Sequence, residues 1–345
     1  MSMKNMRRRW LLAAVATVTA FGAYALPAAN AGESDSGSSK SSQSAQTKAG
    51  ADGKDANALE EVWRSDFEGD AGSLPSGDDW IIDKGHGYPG GPDNWGTGEI
   101  QEYTDNPDNL QLDGDGHLKI TALKNGDTWT SGRIESQRTD FAAPEGGKMR
   151  IEASIQMPNI TGDEALGYWP AFWTLGGEYR GNYWNWPGVG EFDIMENVNG
   201  INSVWGVLHC GVNPGGPCNE TQGIGNSTEC PETACQAGYH TYALELDRTG
   251  DTEALRWYVD DKEYHSVTSA DMDAETWANA TDHGHFILLN LAMGGAFPDG
   301  VAGHATPTDA TKPGASMMVD YVAVSVEGGQ GAQSKGANSK EGTGK

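Results

Sequence analysis

Three carboxylates fall within six residues, Glu191-Phe192-Asp193-Ile194-Met195-Glu196, set among apolar neighbours and directly after a glycine-rich turn. On a β-strand side chains alternate between faces, so Glu191, Asp193 and Met195 share one face and Glu196 points to the other. A β-bulge near Ile194–Met195 re-aims Glu196 to the first face. Carboxylates lined up on one surface push one pKa upward, which leaves a protonated acid beside an ionised carboxylate at neutral pH. A nucleophile and an acid/base roughly 5–5.5 Å apart are what retaining glycoside hydrolysis requires. The same spacing also describes an ordinary strand with one wet face. The surroundings must decide.

Those surroundings are aromatic. Tyr168, Trp169, Trp173, Tyr179, Tyr183, Trp184 and Trp186 lie within the 19 residues just before the carboxylates. An indole face suits the C–H face of a pyranose ring, and its N–H can still donate to a hydroxyl. Any one of these tryptophans could equally be core. In Tyr168–Trp173, alternation puts Trp169, Ala171 and Trp173 on one face and Phe172 on the other. Trp169 and Trp173 are therefore expected to line a cleft, with Phe172 between sheets. Trp186 and then Trp184 are the next candidates.

The elements that position these groups read as strands. Segments 116–124, 147–158, 203–209, 240–247, 255–264, 285–293 and 317–327 are short, β-branched or aromatic-rich, and bounded by Gly, Pro, Asp or Asn. Residues 269–280 are the best candidate for a helix, with Ser269 as its cap. Many short strands separated by turn signals argue for an all-β sandwich. Residues 59–327 form one expected domain. Residues 32–58 read as a flexible linker and 328–345 as a tail of the same character. Residues 1–31 read as a secretory signal: Arg7, Arg8 and Arg9, an apolar stretch, then Ala29-Asn30-Ala31 as the cleavage site.

The formal charge of −26 falls to about −30 once residues 1–31 and their four cations (Lys4, Arg7, Arg8, Arg9) are removed. That argues against nucleic acid or an anionic membrane as partner, since both need clustered Lys and Arg. An uncharged polysaccharide would not be repelled. All four cysteines, Cys210, Cys218, Cys230 and Cys235, lie in one 26-residue window. In an exported chain they read as two disulfides; the local pairing 210–218 and 230–235 is favoured among three, and zinc is the rival reading.

Taken in order, the blocks VWRSDFEG, NWGTGEIQEYTDNPDNLQLDGDGHLKITA, TSGRIES, GYWPAFWTLGG, WNWPGVGEFDIMEN, GYHTYALELD, WYVDD, LNLAMGG and MMVDYVAV make the chain resemble glycoside hydrolase family 16, in its laminarinase-like, bulge-containing type. The resemblance covers nearly all of 62–326. Two departures stand out. The segment before Lys148 lacks the family's frequent aromatic-Gly pair, and the cysteine-bearing loop 209–235 is unusually long.

The resemblance implies a concanavalin A-like β-jelly roll, two curved antiparallel sheets with a concave substrate cleft, acting on a β-linked polysaccharide as a monomer. It makes Glu191 the nucleophile, Glu196 the acid/base and Asp193 the residue between them. Catalysis then needs no cofactor. Asn109 and Arg133 match positions near the bound sugar, Arg133 having a surface ion pair as its alternative. His209 either contacts substrate or caps the cysteine loop; His240 is expected to be structural. A structural calcium ion is implied at Asp66, Gly116 and Asp320. The substrate expected first is β-1,3-glucan. β-1,3-Galactan and mixed-linkage glucan are alternatives, as are transglycosylation and a non-catalytic lectin-like role.

Overall fold

A computed structural model describes residues 58–328. The expected signal, nearly all of the linker and all of the tail after Gly328 lie outside the described residues. Within them the chain folds as two large antiparallel sheets facing one another, a β-jelly-roll sandwich.

One sheet runs in the order Lys262–Thr268, Ala254–Val259, His240–Asp247, Lys148–Gln156, Ser316–Glu327, Leu118–Thr121, Leu110–Leu112, with Glu60–Ser65 also paired to Ser316–Glu327. The other has seven strands: Ile224–Thr228, Val204–His209, Glu191–Glu196, Tyr168–Gly176, His285–Met293, Arg133–Ser136, Trp80–Ile82. Alternation along each strand sends one set of side chains between the sheets, where Ile134, Phe172, Phe192, Ile287, Leu289 and Trp257 are fully or almost fully buried. The interior strand His285–Met293, next to the central Tyr168–Gly176, is buried along its whole length. Its outward residues Phe286 and Leu288 join Leu175, Tyr179 and Val189 in a second, smaller apolar cluster on the far side of the sheet. That cluster gives the outward face a firm floor.

Two local readings are corrected. Segment 255–264 is a hairpin rather than one strand: Asp260 and Asp261 both take positive φ (47° and 61°) and turn the chain from Ala254–Val259 into Lys262–Thr268. The helix spans Ala274–Thr281 and is capped by Asp273, which accepts from the Thr276 backbone N–H at 2.9 Å, not by Ser269. Ser269 instead accepts from the Glu253 backbone N–H at 3.1 Å. A second helix, Ala296–Ala302, ends on left-handed Gly303. The spacing of its residues gave no sign of it.

The cysteines pair locally, Cys210–Cys218 and Cys230–Cys235, with Cα separations of 5.5 and 5.2 Å. This removes the thiolates that a zinc site would need. Long apolar helices able to cross a membrane are absent among the described residues.

Candidate active site

Strand Glu191–Glu196 pairs with Tyr168–Gly176 on one side and Val204–His209 on the other. Against the first, Asp193 faces Trp173 and Met195 faces Phe172, so Ile194 is the extra residue. Against the second, Asp193 faces Val207 and Glu196 faces Trp205. The strand is bulged where the sequence requires it to be. Ile194 and Met195 are both buried in the core, and Glu196 turns outward.

Two glycines make room for this arrangement. Gly190 has φ 78°, and a Cβ there would lie 2.5 Å from the Ala280 carbonyl oxygen, so the turn into Glu191 requires glycine. Gly206 stands across from the bulge, where a Cβ would meet Trp257 at 2.4 Å. Its absence lets the Trp257 indole N–H donate to the Asp193 carbonyl oxygen at 2.7 Å. The bulge is thus pinned from the core side.

Each glutamate has its own indole. Trp169 Nε1 donates to Glu196 Oε1 at 2.8 Å, and Trp186 Nε1 donates to Glu191 Oε2 at 3.1 Å. Beside Glu196, Phe297 stands edge-on to both Trp169 and Trp205, forming an aromatic wall. His209, directly across from Glu191, brings Nε2 to 3.4 Å from Asp193 Oδ2 and 4.0 Å from Glu191 Oε1. Among the described residues, Glu191, Asp193 and His209 form the one trio of acidic, His or Cys side chains whose donor atoms all lie within 4.8 Å of one another.

Burial, with the Glu196 and Glu220 charges, pushes Glu191 up to about 7, against the opposing pull of His209 and the Trp186 N–H. Asp193 lies well above the ordinary carboxylate range, through burial first and then the Glu191, Glu196 and Glu220 charges. Its Oδ2 is buried without a hydrogen-bond partner, which makes an ionised Asp193 costly. Burial also raises Glu196, resisted by the Trp169 N–H and His209. For His209, burial lowers the pKa, but its hydrogen bond to Glu220 and the surrounding carboxylates outweigh it and raise the net value. The site therefore holds protons at neutral pH and distributes them unequally.

Other sequence candidates lie further along the sheet or away from it. Trp173 donates to Asn290 Oδ1 at 2.7 Å. The Arg133 guanidinium, 3% exposed, bonds Asp83 at 3.0 Å and lies over the rings of Trp95 (4.3 Å) and Trp173 (5.0 Å), so its ion pair is buried and not on the surface. Trp184 is 70% exposed, its N–H held by the Gly90 carbonyl at the rim of a depression lined by His86, Tyr88 and Glu99. Asn109 does not join the carboxylates. It is buried, donates to the Thr121 carbonyl at 3.0 Å and accepts from Thr104, which leaves little for a sugar. His240 is tied to Asp260 at 2.7 Å. Glu220 and Phe297 lie outside every motif, and Trp257 and Asn290, though inside the blocks WYVDD and LNLAMGG, carried no role there; each reaches the site only through folding.

Of the expected calcium positions, Gly116 approaches the Asp66 carbonyl, and a Cβ there would also lie 3.7 Å from Glu68 Oε1. The Asp66 carboxylate itself is taken by Arg64. Burial, with the Asp113 and Asp320 charges, pushes the Tyr239 hydroxyl up to about 12, and Tyr239 stacks on His117, the neighbour of Gly116. The Asp66 carbonyl and one Glu68 carboxylate oxygen are thus the oxygens that the structure brings beside Gly116.

No family model matches the chain. The solved endo-1,3-beta-glucanase from Streptomyces sioyaensis is similar at 55% identity and TM-score 0.76, covering 81% of this chain and 99% of that one. A beta-glucanase of Rhodothermus marinus is 30% identical over 278 residues, 77% of this chain and 84% of the relative. Glucan endo-1,3-beta-glucosidase A1 of Niallia circulans is 28% identical over 76% of this chain, which spans only 37% of that longer protein. With those likenesses laid over a bulged three-carboxylate strand on a jelly roll, the chain belongs to glycoside hydrolase family 16, in its laminarinase-like type.

Proposed function

We propose that the protein is an exported, endo-acting, retaining glycanase that hydrolyses β-1,3-glucan by double displacement. The observation that carries this reading is the pair of glutamates held on one face by separate indole N–H donors, with Asp193 between them. Glu196, whose pKa burial raises, gives its proton to the departing glycosidic oxygen as the Glu191 carboxylate, held by the Trp186 N–H, attacks the anomeric carbon. Burial and the neighbouring carboxylates favour the protonated form of Asp193, which limits the charge gathered beside the nucleophile. Water deprotonated by Glu196 then attacks the glycosyl-enzyme, releasing Glu191 and a sugar of retained configuration.

The test is product analysis on laminarin, lichenan and β-1,3-galactan with wild type and Glu191→Ser. A ladder of oligosaccharides from laminarin, made by wild type alone, is the expected result. Cleavage confined to galactan or lichenan would overturn the substrate and keep the chemistry. Equal binding without cleavage by both proteins would make the sandwich a lectin. Products longer than the starting oligosaccharides would mean transglycosylation.

Export is part of the same reading, supported by the two disulfides. Recovery from the medium with Gly32 at the N-terminus is expected, and a chain retained in the cytoplasm would contradict it. A monomer should sediment as such. A calcium ion held by the Asp66 and Gly116 carbonyls and the Asp320 carboxylate, with Glu68 nearby, would clamp the first strand to the sheet. Chelation should then lower Tm while leaving the remaining folded protein active.

A further inference from the structure

The cysteine loop was the part of the sequence that the glutamate motif did not absorb. In the fold it delivers a fourth carboxylate to the site. Glu220 lies two residues beyond Cys218, its side chain fully buried. One oxygen, Oε2, takes the His209 Nδ1 at 2.8 Å; the other, Oε1, accepts from the Cys210 backbone N–H at 2.9 Å. Two backbone hydrogen bonds between Gly215 and Glu220, both 2.6 Å, close the loop beneath it, and the Cys210–Cys218 disulfide ties the same turn. No Arg or Lys is paired with Glu220 among the described residues. Its only ionic partner there is His209.

Each element packed on His209 presents either a carboxylate or no charge. The strand Glu191–Glu196 offers Glu191, Asp193 and Glu196; the loop offers Glu220; Trp186 contributes its ring at 5.6 Å, and Gly223 closes the remaining side. With Nδ1 fixed on Glu220, the ring can present only Nε2 to the glutamate strand. A buried carboxylate on the far nitrogen is the arrangement by which an imidazole is held in one tautomer and one orientation.

We propose that Glu220 is a positioning residue of the active site, fixing His209 so that its Nε2–H faces the Glu191–Asp193 pair and the imidazole keeps its second proton there. This rests on the glycanase reading for its consequence in catalysis, though not for the state of His209. Glu220 touches neither nucleophile nor acid and acts through the histidine. The long loop is then part of the catalytic apparatus, and its sequence is constrained at Glu220 as much as at its cysteines.

The experiment has two arms. In the first, the His209 imidazole is titrated by NMR in wild type and Glu220→Gln, assigned by loss of its signal in His209→Gln. The expected result is a wild-type pKa above the ordinary histidine value and a fall of about one unit or more in the variant, a ~10-fold change in proton affinity. An unchanged His209 titration, or one at or below the ordinary value in wild type, would overturn the proposal whatever the protein cleaves. In the second, kcat and KM for laminarin are followed against pH. Because Glu220 holds the His209 cation, which pulls the Glu196 pKa down, its removal should move the alkaline limb of kcat, set by the acid Glu196, to higher pH and leave KM unchanged. A rise in KM with an unmoved kcat profile would make Glu220 a prop for substrate binding and would also overturn it. If Glu220→Gln does not fold, the wild-type titration alone decides. Wild type inactive on laminarin, with the His209 shift present, would sink the substrate reading and not this one.

Discussion

Two buried ionic clusters sit on the outward face of the same sheet, and their charges are balanced differently. Around Arg133, two arginines meet two carboxylates: Arg133 bonds Asp83 at 3.0 Å, Arg180 reaches Glu135 at 3.1 Å, and Tyr88 joins the halves by donating to Glu135 at 2.9 Å. Burial raises Asp83 and Glu135, but each has an arginine pulling it back. Around His209, four carboxylates share one imidazole. Matched charges fix geometry and hold their protons still. Unmatched ones leave protons to be shared, and a shared proton can be transferred. The balanced cluster builds the wall that carries Trp173; the unbalanced one is where bonds can break.

The largest way to break this contrast is Glu191→Gln, which removes the proposed nucleophile and keeps the side chain's size. Its kcat on laminarin should fall by about 10⁴-fold or more, measured by reducing-end release. The balanced cluster should answer differently. Arg133→Met strips Asp83 of its cation in a buried site and should cost about 3–5 kcal/mol of stability in urea unfolding. A loss of activity without loss of stability there would show that Arg133 belongs to the chemistry after all.

Glu191→Gln also sharpens the contrast through pH. The folded pKa of about 7 stands above the ordinary 4.5, so the native state binds the proton more tightly than the unfolded chain. The penalty for ionising Glu191 is absent below about pH 4.5, grows as pH rises and is complete above about 7. At pH 8 the variant should be more stable than wild type, by on the order of 1–2 kcal/mol after allowing for the 15% of the side chain that remains exposed. The gain should vanish near pH 4.5. Urea midpoints of both proteins at pH 4.5 and 8 check it.

Two smaller effects follow from local geometry. Trp257→Phe removes the N–H that holds the Asp193 carbonyl and should cost about 1–2 kcal/mol, with kcat falling as the bulge loosens. Asp273→Ala removes a helix cap remote from both clusters and should cost about 1 kcal/mol with kcat/KM unchanged.

How legible this was depends on distance along the chain. The bulge could be read because Glu191, Asp193 and Glu196 lie on one strand, where the period of two makes any misfit visible. Trp169 and Trp173 share a strand with Phe172, so the same alternation sorted them. Sheet order and the sandwich were available only in outline from strand spacing, and in detail from the family resemblance. What escaped depends on contacts across the fold. Glu220 comes from a loop with no periodicity, Trp257 from the opposite sheet, and Phe297 from a short helix holding a Pro and a Gly. The Ser269 cap failed because a better-placed acceptor stood nearby, and the bonds that occupy Asn109 were equally invisible. Their residue types fit, but Asp273 caps the helix N-terminus in place of Ser269, and Thr121 takes the Asn109 amide.

The central claim is that the unbalanced cluster makes Glu191 a nucleophile. An activated 2-deoxy-2-fluoro β-1,3-gluco-oligosaccharide, incubated with the enzyme and followed by mass spectrometry of the intact chain and its peptides, tests it most directly. The account predicts one covalently bound glycosyl group, located on Glu191 and absent from Glu191→Gln. A label on any other residue, or turnover without a covalent species and with inversion at the anomeric carbon, would contradict it.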